Sequence, residues 1–254
     1  MRIKIILENQ ENKDIILPIH YNELIQKTIY NNIPKILSHF IHEIGFKYNK
    51  RSFKLFTFSK IKSNKIKLSK NHIFFNKLIE IQISSPIDII IKTLKENLEK
   101  KQNLRIYKNK LIVKEINTIE KPNFSEFTKI TKIKTLSPIT IYKTIIKNNK
   151  KYTQYLFPED PEFNNLIKEN IKKKYAIIKG ITDPTEIPEI SFHLTPIDTK
   201  IKILKYKNFI IKGIEGILEI NTNNIKVLQE IYDAGLGAKN SQGFGMFEFL
   251  ECSK

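Results

Sequence analysis

Histidine is the side chain whose ordinary titration lies nearest neutral pH, and the chain carries five: His20, His39, His42, His72 and His193. The segment HFIHE sets His39 and His42 three residues apart, on one face if the segment is helical. Such a pair can move protons or form half of a metal site. The order is not H-E-x-x-H, Cys252 stands alone, and no third ligand suggests itself. The pair is therefore read without a metal or cofactor. Lys47, Lys50, Arg51 and Lys54 follow closely, a set of cations suited to a phosphate.

A second chemistry-bearing stretch is GLGAKNSQGFG, residues 235–245, which holds Gly235, Gly237, Gly243 and Gly245, half of the 8 glycines. A Walker loop ends in Gly-Lys-Ser or Gly-Lys-Thr, and the dinucleotide fingerprint is G-x-G-x-x-G. Here Lys239 lies mid-stretch and Asn240 takes the third glycine position. Both nucleotide motifs also lead from strand into helix, whereas this stretch leads from a helix into a strand. It is not a nucleotide loop. Gly235 can cap the helix before it, and the others permit close backbone approach. Exposed N–H groups with Lys239, Asn240 and Ser241 could hold an RNA backbone.

Charge points to the same kind of partner. Lys+Arg 44 against Asp+Glu 26 leaves +18, and basic side chains displace counterions from phosphates. Only Arg2, Arg51 and Arg105 are arginines, and Ile, Lys and Asn crowd the chain, as AT-rich coding would produce. Part of the charge is thus a solvated surface. Lys60, Lys62, Lys65, Lys67 and Lys70 are equally candidates for phosphate contact and for guarding strand edges. A hydrophobic share of 41% excludes a disordered chain. No apolar run reaches the ~20 residues of a membrane helix. MRIKIILENQENKD lacks the apolar core of a signal peptide, and a lone cysteine fits a reducing compartment, so the expectation is a soluble cytoplasmic protein.

These residues need elements to position them. Residues 1–7 alternate as a half-buried strand. Residues 22–44 have helical spacing interrupted by Pro34, predicting two helical pieces with Gly45 as stop. Residues 53–59 and 72–83 read as strands, 86–101 as a helix with Ile87, Ile90, Ile91, Leu94 and Leu98 in one stripe, and 104–116 as a strand. That order, β-α-β-β-α-β, is the ferredoxin-like unit. After a polar break at 117–128 the pattern recurs. A strand at 129–147, a helix at 160–174, strands near 190–196, 201–211 and 214–220, a helix at 224–233 and a strand at 246–250 follow. The expected fold is α+β, two tandem ferredoxin-like domains over 1–120 and 125–254 with an RNA-binding cleft.

A ferredoxin-like pair ending in G-x-G-x5-G-x-G before a last strand resembles the CRISPR-associated RNA-binding proteins of the RAMP superfamily. KTIYNNI, FIHEIG, KLFTFS and TLSPI, in that order, narrow the resemblance to the repeat-cleaving endoribonuclease of the sixth Cas family. The resemblance covers essentially the whole chain. It implies a catalytic Tyr30, His42 and Lys54, with no cofactor. It also implies a metal-independent cut of precursor CRISPR RNA, in which a ribose 2′-OH attacks the adjacent phosphate to leave 2′,3′-cyclic phosphate and 5′-OH ends. CRISPR repeat RNA is the expected partner, and effector-complex subunits or a second copy remain open. His42 near a helix C-terminus gains about 0.3–1 kcal/mol for its imidazolium. Lys54 would stabilise transition-state charge. Tyr30, with an ordinary pKa near ~10, is read as orienting the 2′-OH, with deprotonation as the lesser alternative. His39, then His20, are the alternative acids. Lys47, Arg51 and the glycine stretch are the expected RNA contacts. A non-catalytic RAMP-type RNA-binding subunit shares all but the Tyr30, His42 and Lys54 set.

Overall fold

The computed structural model describes residues 1–124 and 129–250. Cys252 lies outside the described residues. Strand β1 (Arg2–Asn9) turns Ile3, Ile5 and Leu7 into the core by simple alternation. After β2 (Ile15–Pro18), helix α1 (Asn22–Asn31) buries Ile25 and Ile29 against that face. Pro34 has no N–H to donate, so α1 stops before it and α2 (Lys35–His39) starts after it.

The second helical piece does not stay α-helical to Gly45. Phe40–Ile44 form a π-helical turn, closed by Gly45 N donating to Phe40 O at 2.7 Å. Gly45 is left-handed at φ +67, and a Cβ there would sit 2.4 Å from Ser52 Oγ. Glycine thus lets the next hairpin, β3 (Phe46–Tyr48) with β4 (Arg51–Phe53), fold back against the turn.

The strand expected at 53–59 is two strands. Leu55 at φ +49 breaks it, and only β5 (Thr57–Phe58) joins the main sheet. Strand β7 (His72–Phe75) pairs with β2 on one side and β6 (Ile66–Leu68) on the other in a small separate sheet. The strand expected at 72–83 therefore splits, and β8 (Leu78–Ser84) enters the main sheet. Helix α3 (Asp88–Lys101) buries Ile90, Ile91, Leu94 and Leu98, as its stripe predicts. The strand expected at 104–116 is a hairpin, β9 (Asn103–Ile106) and β10 (Asn109–Ile119), turning at left-handed Tyr107. The five-stranded antiparallel sheet runs β5-β8-β1-β10-β9.

In the C-terminal half, β11 (Ile130–Thr135) ends at a buried connection, so the strand expected at 129–147 also splits. Strands β12 (Ile141–Lys147) and β13 (Lys150–Leu156) form a separate hairpin. Helix α4 (Phe163–Lys179) is longer than its expected 160–174 and ends at left-handed Gly180. The strand expected near 190–196 and the first part of that expected at 201–211 are one, β14 (Phe192–Tyr206), with a register shift between Pro196 and Asp198; residues 209–211 lie beyond the turn with the strand expected at 214–220. It pairs along its length with β15 (Phe209–Thr222). Helix α5 (Ile225–Ile231) and strand β16 (Phe247–Phe249) complete a sheet ordered β14-β15-β11-β16.

The architecture is mixed α and β, with a main apolar core in each half. A polar seam joins them. Buried Asp233 lies 2.9 Å from the Met1 ammonium, 3.5 Å from Arg2 Nε and 3.6 Å from Lys121 Nζ. Arg2 also donates to Tyr232 Oη and Phe247 O. Among the described residues no helix is long and apolar enough to cross a membrane.

Candidate active site

The π turn carries His42 on its exposed side. Its Nδ1–H donates to Glu43 Oε1 at 2.5 Å, which leaves Nε2 to face outward ligands. That hydrogen bond, then the imidazole charge, hold the Glu43 carboxyl below the usual carboxylate range. Lys54 reaches back from the broken strand, its Nζ donating to His42 O at 2.6 Å. Partial burial lowers its pKa, while Glu43 opposes the shift. From α1, Tyr30 packs edge-on to the His42 ring, with centroids 5.3 Å apart, and edge-on to Phe56. Burial, with a smaller contribution from Tyr206, pushes the Tyr30 hydroxyl well above its ordinary pKa. Three residues spread over 25 positions of sequence thus meet at one turn.

Lys54 also lines a cleft of about 730 Å³ between the halves. Arg51 and Lys54 stand on one wall, and Tyr142, Lys173, Lys239 and Ser241 on the other. Burial lowers the pKa of Lys173 and Lys239, and Arg51 adds to the effect on Lys173. Lys239 Nζ sits 5.0 Å from the Tyr142 ring centroid, a cation–π contact. Glu169 is the acidic side chain among the lining residues. A surface of this kind attracts a phosphate backbone and offers an aromatic face beside it.

The glycine stretch forms part of the second wall, but its glycines face inward. Gly235, Gly237, Gly243 and Gly245 are all buried with φ between +69 and +82. A Cβ at Gly245 would lie 1.9 Å from Leu236 O, and one at Gly243 would lie 2.4 Å from the Phe58 ring. The space that glycine leaves is filled by the protein itself rather than left open to a ligand. Of the stretch, Gly237 through Gln242 line the cleft, with Lys239, Asn240 and Ser241 among them. Asn22 and Gln26 of α1 donate to Gln242 O and Ser241 O, so the loop is docked on the N-terminal half.

The C-terminal half and the connection before it, residues 119–249, match the family model described as CRISPR associated protein Cas6, C-terminal. The chain belongs to the Cas6 family. The CRISPR-associated endoribonuclease Cas6 1 of Methanocaldococcus jannaschii is 26% identical, over 99% of this chain and 93% of its own length. The CRISPR-associated endoribonuclease Cas6 of Pyrococcus furiosus is 28% identical, over 93% and 85%. The solved structure of a Cas6-related gene product from Pyrococcus furiosus superposes with a TM-score of 0.83 at 24% identity, over 99% and 98%. A RAMP protein described as binding different RNA substrates gives 0.81 at 25%, over 99% and 100%.

The Cas6 model match takes in the glycine stretch but stops short of Tyr30, His42 and Lys54, so their placement rests on the geometry above. Other expected contacts are dispersed. Arg51 enters the cleft, whereas Lys47 is exposed on the same hairpin opposite Ser52. Lys60 pairs with Glu215 and Lys62 with Glu80, while Lys65, Lys67 and Lys70 are exposed around β6. His39 is exposed near Glu43. His20 Nδ1 accepts from Lys205 N, and burial and Lys205 lower its pKa, which suits an acid poorly. Among the described residues no three His, Cys, Asp or Glu side chains cluster as metal ligands.

Sequence reasoning missed three cleft residues, Tyr142, Lys173 and Lys174. Lys174 is 1% exposed, and its Nζ donates to Gly235 O, Gly237 O and Asn240 Oδ1 at 2.6–2.8 Å. A signal was present. Phe163, Ile167, Ile171 and Lys174 occupy one helical stripe, so a lysine stands where the pattern asks for an apolar residue.

Proposed function

We propose that this Cas6 chain is a metal-independent endoribonuclease that cuts precursor CRISPR RNA within the repeat. The observation that carries the reading is the meeting of Tyr30, His42 and Lys54 at the edge of a basic cleft. The relatives named as endoribonucleases support it. The two strand orders support two tandem ferredoxin-like domains, near 1–120 and 125–254, with the cleft between them.

In the proposed reaction the ribose 2′-oxygen bonds to phosphorus and the bond to the 5′-oxygen breaks. The 2′ proton leaves to solvent, and His42 Nε2 delivers a proton to the departing 5′-oxygen. Glu43 fixes the ring orientation through Nδ1. Lys54, tethered through one of its three protons, has two left for the equatorial phosphate oxygens. Tyr30 keeps its proton and so serves as a donor that orients the ribose or phosphate rather than as a base.

The test is cleavage of the cognate repeat RNA in EDTA, with 2′-hydroxyl or 2′-deoxy at the break, by the parent and by His42→Ala. Cleavage in EDTA is expected with the hydroxyl alone, and His42→Ala should slow it by about 10²–10⁴. A metal requirement, or cutting of the deoxy substrate, would remove the mechanism. Binding without cutting would favour the non-catalytic RNA-binding alternative.

A further inference from the structure

The cleft wall formed by the glycine stretch has an unusual interior. In a stretch of left-handed glycines, the Gly235 and Gly237 carbonyls meet Lys174 of α4, and the Leu236 and Phe244 carbonyls meet Asn240 of the loop itself. A buried carbonyl without a donor is costly. Two side chains supply the donors. The Asn240 amide donates to Leu236 O and Phe244 O, and the Lys174 ammonium donates to Gly235 O, Gly237 O and Asn240 Oδ1. Three acceptors around one Nζ use all three protons of an ammonium. Each of these acceptors is neutral, and among the described residues no carboxylate forms an ion pair with Lys174.

Such an arrangement is expensive for a purely structural plug, because burying a lysine disfavours its charged form. Burial draws its pKa down to about 7, so it is below that pH that the nitrogen carries the three protons its acceptors use. An apolar residue in the stripe would fit the core but orphan three oxygens of the loop. The loop is the part of the molecule that holds Lys239 over Tyr142 and Ser241 at the cleft.

We infer that Lys174 is a positioning residue: its ammonium closes the glycine stretch from within and so sets Lys239 and Ser241 in register to grip the RNA backbone. The RNA part of this inference rests on the function proposed above; the loop part does not. The prediction is a division of labour in which Lys174 governs binding and leaves the chemistry at His42 alone.

Lys174→Met keeps length and apolar contact and removes the three donors. Hydrogen–deuterium exchange without RNA is expected to speed up about tenfold in the peptide spanning 234–246 and to stay unchanged in that spanning 40–58. With repeat RNA, the dissociation constant should rise about tenfold while the single-turnover rate at saturating RNA stays within about twofold. A folded Lys174→Met protein with unchanged loop exchange, or with unchanged RNA affinity, overturns the inference. So does a fall in the saturated rate with affinity intact. Should the variant fail to fold, NMR of the unmodified protein labelled with ¹⁵N-lysine decides. One ammonium protected from solvent and close to the Gly237 α-protons is expected, and its absence would sink the clamp. If the parent does not cleave, the endoribonuclease reading falls, while the exchange and binding measurements still judge Lys174.

Discussion

At the residue scale, the environment assigns Tyr30 its chemistry. A phenol whose pKa is raised by burial binds its proton more tightly when folded, so between pH 6 and 9 it stays neutral on both sides of catalysis. Removing it cannot remove an inflection from the pH–rate profile in that window. Tyr30→Phe is expected to lower the single-turnover rate by about 10–100-fold, the worth of one hydrogen bond to a charged group, without moving the profile. A lost alkaline or acid limb would show instead that Tyr30 titrates in the reaction. Tyr30, His42 and Lys54 were legible because their motifs are contiguous and ordered. Lys174 was not, because what makes it informative is three oxygens 61–66 residues away in sequence. Glu43 stood inside the quoted motif, yet its bond to His42 depends on the π turn, which periodicity does not reveal.

Element boundaries went astray where single residues adopt left-handed backbone. Leu55 and Tyr107 each break an apolar run that alternation reads as one strand. Helices fared better, since Ile90, Ile91, Leu94 and Leu98 or Phe163, Ile167 and Ile171 form stripes that only a helix buries. The glycine stretch illustrates why residue type outran conformation: four glycines signal tight backbone, but not whether a ligand or the protein fills the gap. Gly243 and Gly180 separate the two costs. Both are left-handed, but a Cβ at Gly180 meets nothing within 4 Å, whereas at Gly243 it meets Phe58 at 2.4 Å and Asn22 at 2.7 Å. Gly180→Ala should cost about 1 kcal/mol for backbone alone. Gly243→Ala should cost about 2–4 kcal/mol by adding overpacking. Urea unfolding of both variants checks this, and equal losses would mean that the loop yields around the new methyl.

Over the whole molecule, a net +18 could be read as a uniformly sticky surface, but the cleft selects a few cations from it. If Arg51, Lys54, Lys173 and Lys239 carry the phosphate contacts, the logarithmic salt slope for single-stranded repeat RNA should be about −3. Raising salt from 50 to 200 mM would then weaken binding roughly 50-fold. A slope much steeper than this would bring in the exposed lysines around β6.

The seam at Asp233 and the long β14–β15 hairpin bear on how the protein comes apart. Tyr206 on that hairpin reaches Gln26, Lys205 meets His20, and Glu215 pairs with Lys60. The same hairpin that builds one sheet is thus strapped across the other half. Melting either core would strand a buried carboxylate and strip the partners from that strap. Calorimetry should therefore show one endotherm, with calorimetric and van't Hoff enthalpies in agreement. A gap held by shared cooperativity cannot widen cheaply for a bulkier strand. Selectivity among RNAs would then begin as exclusion by width, before any base is read.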